Sequence, residues 1–222
     1  MASKVCAIVG DYYHDPEITV RALDRLPERE RFEFVIHRGR KRFPREVIEK
    51  SDILLLARMG RLRPEKSEEL WLSDSDERFI FDFIEQGGSL LALHAALASY
   101  PSDGPLHSLL RGRFLYHPPL HPAVHYVIPQ QARKITRRVE SFTVEDEQYF
   151  VDLESGTTGI QLMSQTREHG ESPAGWAHEF GTGRVCVLVP GHTEIAMLHP
   201  MMQRLLQNAL DWCLTDDYSD SH

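Results

Sequence analysis

The segment "DILLLA" at 52–57 constrains this chain more than any other. Behind its leading aspartate the apolar residues follow without a polar interruption, so a strand built from them has no face for water. Strands covered on both faces belong to parallel sheets flanked by helices, because half-solvated antiparallel strands alternate apolar and polar residues. "SLLAL" (89–93) and "GRVCVLV" (183–189) read in the same way. "KVCAIVG" (4–10) is a further strand ending in glycine, and "EITVRALDRL" (17–26) follows it with apolar residues at helical spacing. "FEFVIH" (32–37) is the next strand and "REVIEK" (45–50) a short helix.

Two longer helices are better marked. In "SDSDERFIFDFIEQGG", Ser73 and Asp76 stand three apart, acids fill the first turn, and Gly87 ends the run. "HPMMQRLLQNALDWCL" (199–214) carries an apolar stripe through Met201, Met202, Leu205, Leu206, Ala209 and Leu210. Residues 101–180 are less regular. There "LHPAVHYVIP" (120–129) and "VESFTVEDEQYF" (139–150) predict strands with partly exposed faces, and "LESGTTG" (153–159) and "REHGESPAG" (167–175) predict loops. The expected fold is α/β: a doubly wound, mostly parallel, flavodoxin-like sheet with an irregular insertion before its last strand and helix. One domain over 1–214 accommodates the 222 residues, with a disordered tail at 215–222.

A net charge of −8 argues against nucleic acid or an anionic membrane as partner, since both reward clustered positive charge. The basic stretch "HRGRKRFPR" (37–45) reads as a solvated loop. No apolar leader follows Met1 and no window is long enough to span a bilayer, so a cytoplasmic protein is expected. Cys6, Cys186 and Cys213 are odd in number and sit in apolar segments, which fits small core residues better than disulfides or a thiolate zinc site.

In open α/β sheets ligands bind beyond the carboxyl ends of the strands. The residues there are "GDYYHD" after the first strand, "ARMGR" after the third, "LHAA" after the fourth and "PGHTE" after the last. They direct Asp11, His14, Arg58, His94, and His192 with Glu194, to one crevice, with Tyr12 and Tyr13 beside the first strand end as candidates for stacking on a sugar. His94 is placed as the nucleophile of a strand–turn–helix elbow would be, but neither Ser nor Cys is at that turn, so a Ser or Cys triad is disfavoured. An imidazole there suits a general base or a metal ligand.

At this point the chain resembles the ThuA-like (trehalose utilisation) proteins. The carriers are "GGSLLALHAA" (87–96), "LLRGRFLYHP" (109–118), "ITRRVESFTVEDEQYF" (135–150), "PAGWAHEFGTGRVCVLVPGH" (173–192) and "HPMMQRLLQNALDW" (199–212). The resemblance implies a class I glutamine amidotransferase-like fold without its catalytic Cys, a role in sugar metabolism, and a divalent metal in at least some members. Where many relatives have His-Pro, this chain has Arg133 and Lys134, so contacts from that loop do not carry over.

Strand alternation through "VEDEQYF" puts Glu145, Glu147 and Tyr149 on one face and Asp146 and Gln148 on the other. Glu147 with His94 and His192 would form a His₂-carboxylate site for one divalent transition metal, zinc, manganese or iron. Without metal, Glu147 serves as base and His94 as acid in glycosidic cleavage or in proton abstraction beside a keto-sugar carbonyl. A solvated acidic strand is the bland alternative. His117 joins Asp11, Tyr12, His14, Arg58 and Tyr149 as a substrate contact, whereas His121 and His125 read as surface. The expected partner is a small-molecule carbohydrate, with no nucleotide cofactor; a homo-oligomer is compatible with the sequence. An enzyme of carbohydrate metabolism, a hydrolase, lyase or isomerase, is favoured over a non-catalytic sugar- or partner-binding domain, because the crevice is rich in groups that titrate or ligate.

Overall fold

The computed structural model describes residues 2–39, 42–132 and 134–214. The uniformly apolar runs lie at its centre: β1 (Ser3–Val9), β2 (Phe32–Arg38), β3 (Ile53–Ala57), β4 (Ser89–Leu93) and β11 (Gly183–Leu188) pair in parallel in the order β2-β1-β3-β4-β11. Leu54, Leu55, Leu56, Leu90 and Leu91 are fully buried, as strands without a solvent face must be. The order reverses direction between β1 and β3, the switch point at which flavodoxin-like sheets open a crevice.

The helices start and stop where local chemistry requires. In α1 (Pro16–Asp24), Asp15 accepts from the Glu17 N–H at the first turn and Pro16 supplies the fixed φ of a first helical residue. α2 (Arg45–Ile48) is a single turn. α3 (Asp74–Glu85) begins with the expected reciprocal cap between Ser73 and Asp76. α4 (Pro105–Leu110) packs on α3, while α5 (Glu194–Met197) joins α1 to α6 (Pro200–Leu214), which lies across β3, β4 and β11. His199 accepts the Met201 N–H and so helps start α6. None of these helices is long and apolar enough to cross a membrane.

Residues 101–180 are more regular than their sequence. Besides α4 they form β5 (Gly112–Tyr116), β6 (Ala123–Val127), β7 (Phe142–Glu145), β8 (Phe150–Leu153), β9 (Ile160–Thr166) and β10 (Gly170–Phe180). β10, β9, β6 and β7 extend the sheet antiparallel beyond β11, and β5 and β8 form a separate ribbon. "REHGESPAG" is therefore no loop: its second half is strand, accommodated by register shifts at Pro173 and Gly175, where proline lacks a ladder donor. Nor does "VEDEQYF" form one strand, because β7 ends at Glu145 and β8 begins at Phe150. The tail at 215–222 and Arg133 lie outside the described residues.

The cysteines are core residues, with Cys6 and Cys213 thiol pKa values pushed up to about 12 by burial. Trp176, fully buried, donates its indole N–H to the Leu110 carbonyl. His178 on β10 is only 6% exposed, and burial together with the Arg111 and Lys134 charges pushes its pKa down to about 4. An unfolded histidine titrates near 6.5, so as pH falls from 6.5 to 4 the unfolded chain binds a proton that the native chain refuses. Stability linked to this residue is complete above pH 6.5 and declines by about 3 kcal/mol on acidification to pH 4. Urea unfolding of the parent and of His178→Leu should diverge in that window, the variant lacking this increment; parallel curves would show that His178 is protonated in the native state.

Candidate functional site

The carboxyl ends of β1, β4 and β11 bring three histidines together from segments far apart in sequence. After β1, Asp11 Oδ1 accepts from the Tyr13 N–H at 3.0 Å and lies 2.6 Å from His14 Nδ1, while Oδ2 accepts the Met59 N–H at 2.9 Å. The carboxylate thus ties the β1 loop to the end of β3 and holds the His14 ring at Nδ1, so that Nε2 is the nitrogen left for other partners. After β4, His94 has φ +40, a left-handed conformation costing a non-glycine residue about 1–3 kcal/mol. The strain is held by its surroundings: Nδ1 is 2.8 Å from the Val189 carbonyl, and Tyr149 lies against the ring at 4.1 Å between centroids. The carbonyl at Nδ1 fixes the orientation of the ring and turns Nε2 into the site.

After β11 the chain turns through Gly191, whose φ of +128 excludes a side chain; a Cβ there would come within 2.4 Å of Met197 Sδ. This turn is held by Asp146, which accepts from the backbone N–H groups of Gly191 (2.8 Å), His192 (3.0 Å) and Thr193 (3.1 Å) and from the Tyr126 hydroxyl (2.9 Å). The next residue, Glu147, enters the crevice. Its Oε2 lies 3.1 Å from His192 Nδ1 and 3.3 Å from His94 Nε2, and Oε1 lies 3.1 Å from His117 Nδ1. His94 Nε2 and His192 Nδ1 are 3.3 Å apart. His14, His94, Glu147 and His192 each offer one ligand atom within 4.8 Å of all the others. Beside the three rings is a cavity of about 20 Å³, enough for one water-sized guest.

Electrostatics follow from this crowding. Burial works to raise the Glu147 pKa, but the hydrogen bonds and charges of His192 and His94 outweigh it and hold the carboxyl well below the usual range. His192 is correspondingly raised, chiefly by Glu147. His14 is lowered by burial and by the two neighbouring imidazoles, against the opposing pull of Asp11. Three imidazoles around one anionic carboxylate form a set that a divalent cation would complete.

The family model for ThuA, trehalose utilisation, matches residues 4–213. The chain belongs to the ThuA family. Putative ThuA-like proteins from Parabacteroides merdae ATCC 43184 and Bacteroides uniformis ATCC 8492 share its fold, with TM-scores of 0.76 and 0.73. Identities are 14% and 15%; both alignments cover 97% of this chain, and 91% and 93% of the other. A β-galactosidase from Bacillus circulans sp. alkalophilus aligns with 94% of this chain over 31% of its own length, at 12% identity and a TM-score of 0.64. No curated protein sequence matches at a significant level.

In this ThuA-family chain the residues expected in one crevice divide between two places. His14, His94, Glu147 and His192 meet, with His117 beside Glu147 on a partly exposed loop. Arg58 and Tyr12 instead line a second cavity, whose wall includes Asp11, the residue that bonds the His14 ring. Tyr12 is half exposed, its hydroxyl donating to Glu65; Arg58 is buried, its guanidinium 4.5 Å over Trp71. Tyr149 is buried between His94 and Phe114. Glu194 turns away to pair with Arg21 at 2.6 Å.

Three readings change. The alternation expected through 145–149 fails because the strand stops at Glu145: Glu145 is exposed, while Asp146, Glu147, Gln148 and Tyr149 are all buried, which also removes the solvated-strand reading. The helix expected after His94 is one 3-10 turn, His94–Leu97, too short to gather helix-end charge at the site. His121, exposed on its loop as expected, nevertheless places its ring 4.7 Å from His192. Asp146 is the residue that sequence reasoning missed; the "DEQY" stretch between two strand patterns was the available signal.

Proposed function

We propose that this ThuA-family chain is an enzyme acting on a small carbohydrate, a glycoside or keto-sugar, at a centre in which His14, His94, His192 and Glu147 hold one divalent transition metal. The observation that carries the reading is the orientation of the ligand atoms. Asp11 engages His14 at Nδ1 and the Val189 carbonyl engages His94 at Nδ1, which leaves each ring its Nε2, and His14, His94, Glu147 and His192 each offer one ligand atom within 4.8 Å of the others. Carboxylate- and carbonyl-oriented imidazoles are the usual outer shell of metal-ligating histidines, and the N₃O donor set suits zinc, manganese or iron. When bound, such an ion would supply Lewis-acid polarisation of a substrate oxygen.

The chain's own groups supply the rest. His117, in contact with Glu147, and His121, beside His192, are the imidazoles at the outer side of the cluster and are placed to move a proton to or from a bound sugar. The packing of Tyr149 and Phe114 behind His94 keeps water from the inner side. A second reading, a non-catalytic sugar-binding domain, draws support from the occurrence of this fold as about a third of a β-galactosidase chain.

Metal content by mass spectrometry, on protein prepared without affinity tag or chelator, separates these readings. The parent should carry about one transition metal per chain, and His192→Ala should lose it without loss of fold. A parent that stays metal-free after incubation with zinc, manganese and iron salts would overturn the metal centre and leave the Glu147–histidine pairs as metal-free acid–base groups or as a binding site. Turnover of glycosides and keto-sugars then tests catalysis itself.

A further inference from the structure

We infer that the second cavity, at the ends of β1, β2 and β3, is an oxyanion subsite, so that the carbohydrate this protein takes is an acidic one, a sugar acid or a sugar phosphate. That the anion belongs to the substrate rests on the carbohydrate reading above. The cavity has a volume of about 430 Å³ and draws its walls from the Gly10–Tyr12 turn after β1, Arg38 and Gly39 after β2, and Arg58 and Arg63 after β3. It lies at the switch point between β1 and β3, where sheets of this order open to ligands.

Its charge points to an anion. In a chain of net charge −8, three arginines line this one cavity. The carboxylate among the lining residues, Asp11, has its oxygens engaged by His14, the Tyr13 N–H and the Met59 N–H. Arg58 is the buried one of the three, 3% exposed, with its guanidinium over Trp71. Arg38 and Arg63 stand at the rim and pair with Glu17 at 2.6 Å and Glu69 at 2.8 Å. Both are exposed contacts that water already weakens, so a bound anion can replace them. Guanidinium forks match carboxylate and phosphate oxygens two at a time, which a neutral sugar does not offer. Asp11 is the common wall: one side borders this cavity and the other orients His14 in the metal-binding cluster. A ligand with its anion on the arginines would thus extend past Tyr12 toward the histidines.

Calorimetric titration of the full chain with glucose, glucuronate, glucose 6-phosphate and inorganic phosphate, at constant ionic strength set by chloride, tests this. Glucuronate or glucose 6-phosphate should bind at least tenfold more tightly than glucose, and the double variant Arg38→Ala/Arg63→Ala should remove that preference while keeping the parent's melting temperature. Preference for glucuronate would assign a carboxylate; preference for glucose 6-phosphate, with inorganic phosphate competing, would assign a phosphate. Equal binding of glucose, no binding of either sugar anion, or a preference unchanged in the double variant would overturn the inference. Failure here is distinguishable from failure of the centre. Glu147→Gln should lose metal yet keep the anion preference, whereas a metal-binding parent indifferent to anions would overturn this subsite alone.

Discussion

Glu147→Gln should reduce divalent-metal affinity by at least about a hundredfold and abolish turnover of any glycoside or keto-sugar the parent accepts, with little change in the circular dichroism spectrum. The size of the effect follows from what the carboxylate does. It is 6% exposed and stands against His94, His117 and His192 at 3.1–3.3 Å, the carboxylate those three imidazoles share. Its ionisation persists because His192 and His94 outweigh the desolvation that opposes it. Glutamine keeps the shape and removes the charge, so the loss of metal would come from chemistry and not from a cavity. Retention of one metal per chain and of turnover in Glu147→Gln would remove Glu147 from the centre.

Asp146→Asn should destabilise the protein by about 2–4 kcal/mol and, unlike Glu147→Gln, should do so together with loss of metal. Four donors converge on this buried carboxylate, three of them backbone N–H groups of the turn that carries His192. An asparagine has one accepting oxygen, and its amide N–H₂ would confront donors on the other side. Those donors would then be buried without an acceptor, which costs more than the bond itself. Tyr126→Phe removes a single donor and should cost about 1 kcal/mol with metal retained. Denaturant unfolding beside metal analysis checks both variants; an Asp146→Asn protein as stable as the parent would show that the turn holds itself.

The sequence made the parallel half of the sheet legible because burial on both faces leaves only one kind of residue available. Leu54–Leu56, Leu90–Leu93 and Val185–Val189 could hardly be anything else, and the cap at Ser73 marked its helix with equal clarity. The antiparallel half was hidden, since Glu168–Ser172 and Pro173 carry turn-forming residues into a hairpin whose stability comes from its neighbours. The site divided in the same way. Strand ends exposed His14, His94 and His192 to inspection, because chain direction alone puts them at one edge. The direction of Glu147 was not legible from alternation, as the chain leaves the sheet one residue after Glu145. His14 was expected as a substrate contact, and only the position of Asp11 beside it shows that its ring is aimed into the cluster.

The place of β11 between β4 and β10 sets the order in which the molecule can be completed. During synthesis β4 can pair with β3 as soon as both have emerged, but its other edge stays open until residues 183–188 arrive. That edge is apolar from Leu90 to Leu93, the kind of unpaired strand that invites association with other chains. The same late strand delivers His192, four residues beyond its end. The segment that closes the sheet is therefore also the one that brings His192 to His14, His94 and Glu147, so neither the sheet nor the cluster is complete without it.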